Sequence, residues 1–241
     1  DTLNMDSTVL LNKLEGASAI LWVHMGGLIS PDFLIIRKLC KQKGILIIED
    51  CAHTHGATIK GESAGNLGDV GCFSFYPTKI LATGEGGMIT TNNPNIAEKA
   101  IIYRSHGTTR NPEKVKGLDY GVTCHYASQN FRMTEIAGIL GLYQLNHLDE
   151  FVKTRNKIAD EYREHLKDIP GINLLPKFEG HTYWNFFILL DENMFKKYST
   201  TLPVADNILN RHISLPMYVT LQTEDISFIT TCIKNAINKS K

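Results

Sequence analysis

Lys79 follows Phe75-Tyr76-Pro77-Thr78 and precedes Gly84-Glu85-Gly86-Gly87, with strand-like residues on both sides. A lysine amine is a nucleophile only when deprotonated, and it then joins carbonyls as a Schiff base. Asp50 ends a second apolar run, ILIIED over 45–50, so a carboxylate and an amine each stand beside a strand end of the same sheet. In open sheets of this kind, ligands bind beyond the carboxyl ends of the strands. The acidic pair Glu49-Asp50 is therefore expected where a ligand would sit.

A lysine and a carboxylate so placed suit pyridoxal 5′-phosphate (PLP). That cofactor needs an amine for its aldehyde and an anion that keeps its pyridine nitrogen protonated. Its phosphate needs donors, which Ser74 and Thr78 offer near the lysine, and Gly84, Gly86 and Gly87 let the backbone come close. On spacing alone, a solvated loop lysine and a carboxylate that only caps a loop remain open readings.

The elements that position these residues read as an α/β chain. ASAILWVH over 17–24 is a continuous apolar run of strand length. Ser30 then stands as an N-cap, Pro31 as the first helical residue and Gly44 as the helix end, with Phe33, Ile36, Leu39 and Cys40 along one side. Strand, helix and strand, both strands apolar, predict a right-handed βαβ unit in a parallel sheet. Two further strands, DVGCFSF and GGMITTN, flank the Lys79 loop. A helix opens at Asn93-Pro94 and runs to about Arg104, and residues 106–125 read as irregular. From Thr134 a long helical pattern carries Ile136, Ile139, Leu140 and Tyr143 at helical spacing. After Pro170-Gly171 come short strands, INLLP and HTYWNFFILL, and a last helix beginning near Thr223. The expected division is a large domain over 1–150 and a small α+β domain over 151–241.

Lys+Arg and Asp+Glu both number 25, so no net field favours nucleic acid or an anionic membrane. The apolar runs are too short to span a bilayer, and neither nucleic acid nor membrane is an expected partner. Five cysteines without CxxC spacing predict a reducing compartment, the cytoplasm, and no disulfide framework.

EDCAHTHGA, GDVGCFSFYPTK and GEGGMITTN, in this order, closely resemble the DegT/StrS family of PLP-dependent sugar aminotransferases. QNFRMTEIAGILGLYQL over 129–145 and SLPMY over 214–218 extend the resemblance across nearly the whole chain. It implies a three-layer PLP-transferase fold of type I, with a mainly parallel central sheet, partial here, and a smaller α+β C-terminal domain. By position, Lys79 resembles the Schiff-base lysine and Asp50 the partner of the pyridinium. His53 falls beside the ring's 3-hydroxyl and Ser74 at a phosphate-binding serine. Asn130 resembles an asparagine that reaches the phosphate of a neighbouring subunit's cofactor, which implies a homodimer. The reaction so implied moves an amino group from glutamate or glutamine to a nucleotide-linked keto-sugar. Dehydratase relatives carry His in place of the lysine, so Lys79 favours amino transfer.

The resemblance also implies a preceding segment, with a phosphate turn and a stacking aromatic, that residues 1–16 do not supply. A longer stretch is expected between Phe195 and Thr201. The chain is thus expected to be a shortened relative or a fragment, and the rival reading is a catalytically silent relative that serves assembly or regulation. No metal is expected: Cys51, His53 and His55 lack a second ligand pair at zinc spacing. His24 is expected to be structural, Arg132 to act at the dimer face or near Asn130, and Tyr183 and Trp184 to pack.

Overall fold

The computed structural model describes residues 2–110, 122–191 and 203–239. The shortened connection expected over 193–202 and the middle of the tract over 106–125 lie outside them. The described chain begins with a short helix, α1 (Ser7–Leu11), followed by β1 (Ala19–Val23), α2 (Pro31–Lys43) and β2 (Leu46–Asp50). The α2 boundaries follow the expected chemistry. Ser30 Oγ accepts from the Asp32 N–H, Pro31 opens the helix, and Gly44 closes it at φ 68°, a left-handed conformation that glycine adopts without strain.

A two-stranded turn, β3 (Thr58–Ile59) and β4 (Glu62–Ser63), lies within the glycine-rich loop. Then come β5 (Val70–Ser74) and β6 (Gly87–Thr90). The main sheet has the order β1-β2-β5-β6. Its first three strands are parallel, whereas β6 runs antiparallel to β5, because the Lys79 loop is a direct reversal and not a crossover. Register places Val23, Asp50 and Cys72 side by side. One face of this sheet packs on α2, where Ile20, Trp22, Phe33, Ile36, Cys40 and Ile47 form one cluster. The other carries Leu21 and Leu46, which stay 57% and 51% exposed.

Helix α3 (Pro94–Arg104) is capped by Asn93, whose side chain accepts from the Asn95 N–H. The tract read as irregular holds an antiparallel pair instead, β7 (Thr108–Arg110) with β8 (Val122–Cys124). Its polar residues hid the pairing. Helix α4 (Glu135–Asn146), capped by Thr134, passes at His147 into α5 (Leu148–Leu166). A second sheet has the order β11-β10-β9, from β9 (Ile172–Leu174), β10 (Phe186–Leu190) and β11 (His212–Leu215), the last preceded by α6 (Pro203–Arg211). The final helix α7 (Thr223–Lys239) packs with α5 and this sheet around Tyr162, Leu166, Phe186, Ile188 and Ile226. HTYWNFFILL is a strand only from Phe186 onward, and its first five residues do something else, described below.

Candidate active site

The carboxyl end of β2 sends its two acidic residues opposite ways, since neighbouring strand residues face opposite sides. Glu49 is fully buried and does not face a ligand, contrary to expectation. Its carboxylate accepts from His24 Nε2 at 2.9 Å and from the N–H groups of Gly65, Leu67 and Gly68 at 3.1, 2.8 and 2.6 Å. Burial alone would raise its pKa, but the hydrogen bonds from His24, Gly68 and Gly65 outweigh it and leave it below the usual carboxylate range. His24 is itself fully buried, edge-on to Phe33.

Cys51 completes a buried group whose donor atoms lie within 4.8 Å of one another. Burial first, then the Glu49 charge, push its thiol far up. Glu49, engaged by four donors and held by His24, braces the loop over 65–68.

Asp50 faces the other way and is half-buried, and its Oδ1 accepts from the Ala52 N–H at 3.0 Å. Lys79 lies in the turn between β5 and β6, its N–H bonded to the Tyr76 carbonyl at 2.9 Å. Burial holds its amine below the usual lysine range, while the Asp50 carboxylate pulls the other way. His53 lies in the field of both: burial and then the Lys79 charge push it down to about 4, against the pull of Asp50. Asp50, His53 and Lys79 are thus brought into mutual electrostatic reach. Ser74 ends β5, and its Oγ accepts from the Tyr76 N–H at 3.4 Å, which sets it at the base of the lysine turn. Asn130 is exposed and bridged to Ser105, and its Oδ1 accepts from the Arg132 N–H at 3.1 Å. Arg132 donates in turn to Ser105 Oγ at 3.2 Å.

One residue of the site has no counterpart in the sequence reading. Trp184, expected to pack, is only half-buried. Its indole stacks on His53 with ring centroids 3.6 Å apart and planes 8° apart. Lys79 Nζ approaches the same ring to 4.6 Å from its centroid, within cation–π range. Trp184 Nε1 donates to the Thr78 carbonyl at 2.9 Å. Tyr183 does pack, 2% exposed.

The turn that aims Trp184 is strained. Tyr183 has φ 47°, a left-handed conformation that costs a residue with a Cβ about 1–2 kcal/mol. Hydrogen bonds offset it: Thr182 N–H to the Gly27 carbonyl at 3.0 Å, Arg155 Nη1 to the Tyr183 carbonyl at 3.0 Å, and Asn156 Nδ2 to the His181 carbonyl at 2.9 Å. Gly27 is required here, because a Cβ would come within 2.8 Å of the Trp184 nitrogen. No sequence signal marks this turn, since neither tyrosine nor tryptophan announces a positive φ.

The donor set fits PLP. An anion lies within electrostatic reach of an amine of lowered pKa, hydroxyls stand at the turn, and the buried His53 Nδ1 has no hydrogen-bond partner among the described residues.

Residues 1–199 match the model of the DegT/DnrJ/EryC1/StrS aminotransferase family. The GDP-perosamine synthase of Vibrio cholerae is 28% identical, over 91% of this chain and 66% of its own length. That of Caulobacter vibrioides is 31% identical, over 98% of this chain and 64% of its own. The chain thus spans just under two thirds of these relatives. Among solved structures, the aminotransferase TlmJ from Streptoalloteichus hindustanus is similar with a TM-score of 0.87 at 25% identity, covering 99% of this chain and 71% of that one. This likeness carries the fold, the α/β architecture of type I aminotransferases.

Proposed function

We propose that this chain, which belongs to the DegT/DnrJ/EryC1/StrS aminotransferase family, takes part in PLP-dependent transfer of an amino group from glutamate or glutamine to a nucleotide-linked keto-sugar. The observation that carries the reading is that Asp50 ends β2 beside β5 while Lys79 lies in the turn after β5, within reach of the Asp50 charge. The similar GDP-perosamine synthases support a nucleotide-sugar acceptor.

When bound, PLP supplies an electron sink for the carbon that bears the migrating nitrogen. The remaining work falls to the chain. Asp50 holds a negative charge where the ring nitrogen needs its proton, fixed by the Ala52 N–H. Lys79 would hold the cofactor, and its Nζ would carry a proton during the transfer. Its lowered pKa increases the neutral fraction available for that step. His53 is neutral at pH 7 and offers Nδ1 to a ring substituent. Ser74 would donate to the phosphate.

Asn130 is exposed, which suits its use by a second copy of the chain. The exposed apolar residues of α4, Ile136, Ile139, Leu142 and Tyr143, suit the same homodimer. No helix among the described residues is long and apolar enough to cross a membrane, and all five cysteines are free, which fits a reducing cytoplasm.

The test is spectroscopic. PLP added to the purified chain should give a visible absorbance that glutamate or glutamine bleaches, and Lys79→Ala should abolish it. Absence of any Lys79-dependent absorbance sinks the reading and leaves association with a partner as the chain's role.

A further inference from the structure

We propose that Trp184 is the positioning residue of Lys79: its indole fixes the lysine turn and sets where the amine rests. Three contacts meet on this one side chain. Nε1 holds the carbonyl of Thr78, the residue immediately before Lys79, at 2.9 Å. The ring offers its π-face to Lys79 Nζ at 4.6 Å. The same ring lies flat on His53 at 3.6 Å, so the imidazole three residues beyond Asp50 is held at a fixed distance from the amine.

The origin of these contacts matters as much as their number. Thr78 and Trp184 are 106 residues apart in the chain. Trp184 stands two residues before the start of β10, the central strand of the second sheet. The strained φ at Tyr183 and the bonds from Arg155 and Thr182 orient it from that side. Lys79 is therefore located by two halves of the fold at once. Gln144 on α4 grips Ala82, just past the lysine, and Trp184 grips Thr78, just before it. A loop lysine held at one end only would sweep a wide volume. Held at both ends and over an aromatic face, it samples a small one, and misplacement by about 1 Å can slow a reaction by about 10²-fold.

The contacts also separate two roles. Trp184→Phe keeps an aromatic face for Lys79 and His53 but removes the Nε1 donor. Trp184→Ala removes both. Phenylalanine preserves most of the apolar volume, so this variant folds if packing is all that Trp184 supplies.

The inference rests on the cofactor reading for its PLP arm only. In the first arm, the chain without PLP is pulsed with acetic anhydride, and labelling of each lysine is read by peptide mass spectrometry. Lys79 should label several-fold faster in Trp184→Ala than in the parent, with the exposed Lys60 unchanged as a control. In the second arm, PLP is added and the growth of the Lys79-dependent visible absorbance is timed. It should slow by about tenfold or more in Trp184→Ala and by less in Trp184→Phe. Indole emission should also be quenched by PLP in the parent and much less in Trp184→Phe, whose remaining Trp22 is fully buried.

An amine that becomes easier to label yet slower toward PLP is the signature of lost positioning, which general loosening would not produce. Unchanged labelling of Lys79 in both variants overturns the proposal, as does an unchanged PLP rate in both. If the parent gives no absorbance at all, the cofactor reading fails by itself, and the labelling arm still decides the role of Trp184.

Discussion

Gln144 forms a two-bond clasp with the backbone of Ala82: its Nε2 donates to the Ala82 carbonyl at 2.7 Å, and the Ala82 N–H donates to its Oε1 at 2.9 Å. A side-chain amide here does what a neighbouring strand would do for an edge peptide. It ties α4 to the loop that follows Lys79, across 62 residues of sequence.

Replacing Gln144 with Leu should therefore loosen the lysine loop. Two half-buried backbone groups lose their partner, at a cost of about 1–3 kcal/mol. Urea denaturation should show a lower midpoint at unchanged slope. PLP, titrated by its Lys79-dependent absorbance, should bind more weakly. A variant with parental midpoint and affinity would remove the clasp from the account of the site.

Glu49 predicts an acid response. Its folded pKa lies below its ordinary value of 4.5, so its contribution is present above that value and is lost as pH falls through the folded one. Glu49→Gln should be destabilised by about 3–5 kcal/mol at neutral pH, since an amide presents N–H groups where backbone N–H groups already point. Its stability should also vary less than the parent's below pH 4.5. Chemical denaturation over a pH series measures both, and parallel curves for the two proteins would refute the assignment.

Three histidines act in a higher window. His53, His55 and His181 are each held down to about 4 from an ordinary 6.5, burial being the main cause in every case. Between those values the unfolded chain binds more protons than the folded one, so stability should fall as pH drops from 6.5 towards 4. Imidazole proton resonances should show all three neutral at pH 6. A histidine that titrates near 6.5 in the folded chain would contradict its place in this set.

The α4 face predicts association. Ile136 is 74% exposed and Ile139 68%, far more than large aliphatic side chains on one helix usually are. Sedimentation of the parent should show a dimer, and Ile136→Arg with Ile139→Arg should yield monomer. PLP should then be held more loosely if Asn130 serves a neighbour's site, and Asn130→Ala in an intact dimer should reproduce that loss. A monomeric parent would dismiss the homodimer.

Local chemistry was legible wherever a residue's neighbours in sequence are its neighbours in space. Ser30, Pro31 and Gly44 bounded α2, Asn93 opened α3, and Thr134 opened α4, because caps act within a few residues. Asp50 could be picked out as the end of a continuous apolar run, and Lys79 by the Pro77-Thr78 and glycine frame between two strand-like runs. That continuity also misled. Buried parallel strands show little alternation, so the opposite facing of Glu49 and Asp50 was hidden, and Glu49 read as a ligand-facing residue when it is an internal brace.

Chain order and local pattern thus determine the βαβ unit, the helix ends and the acid and amine on offer. Tertiary structure alone decides what meets them. The Gln144 clasp and the indole of Trp184 over Lys79 both join residues far apart in sequence. Such contacts form only once two separately packed cores have brought their surfaces together, and no periodicity within either segment records them.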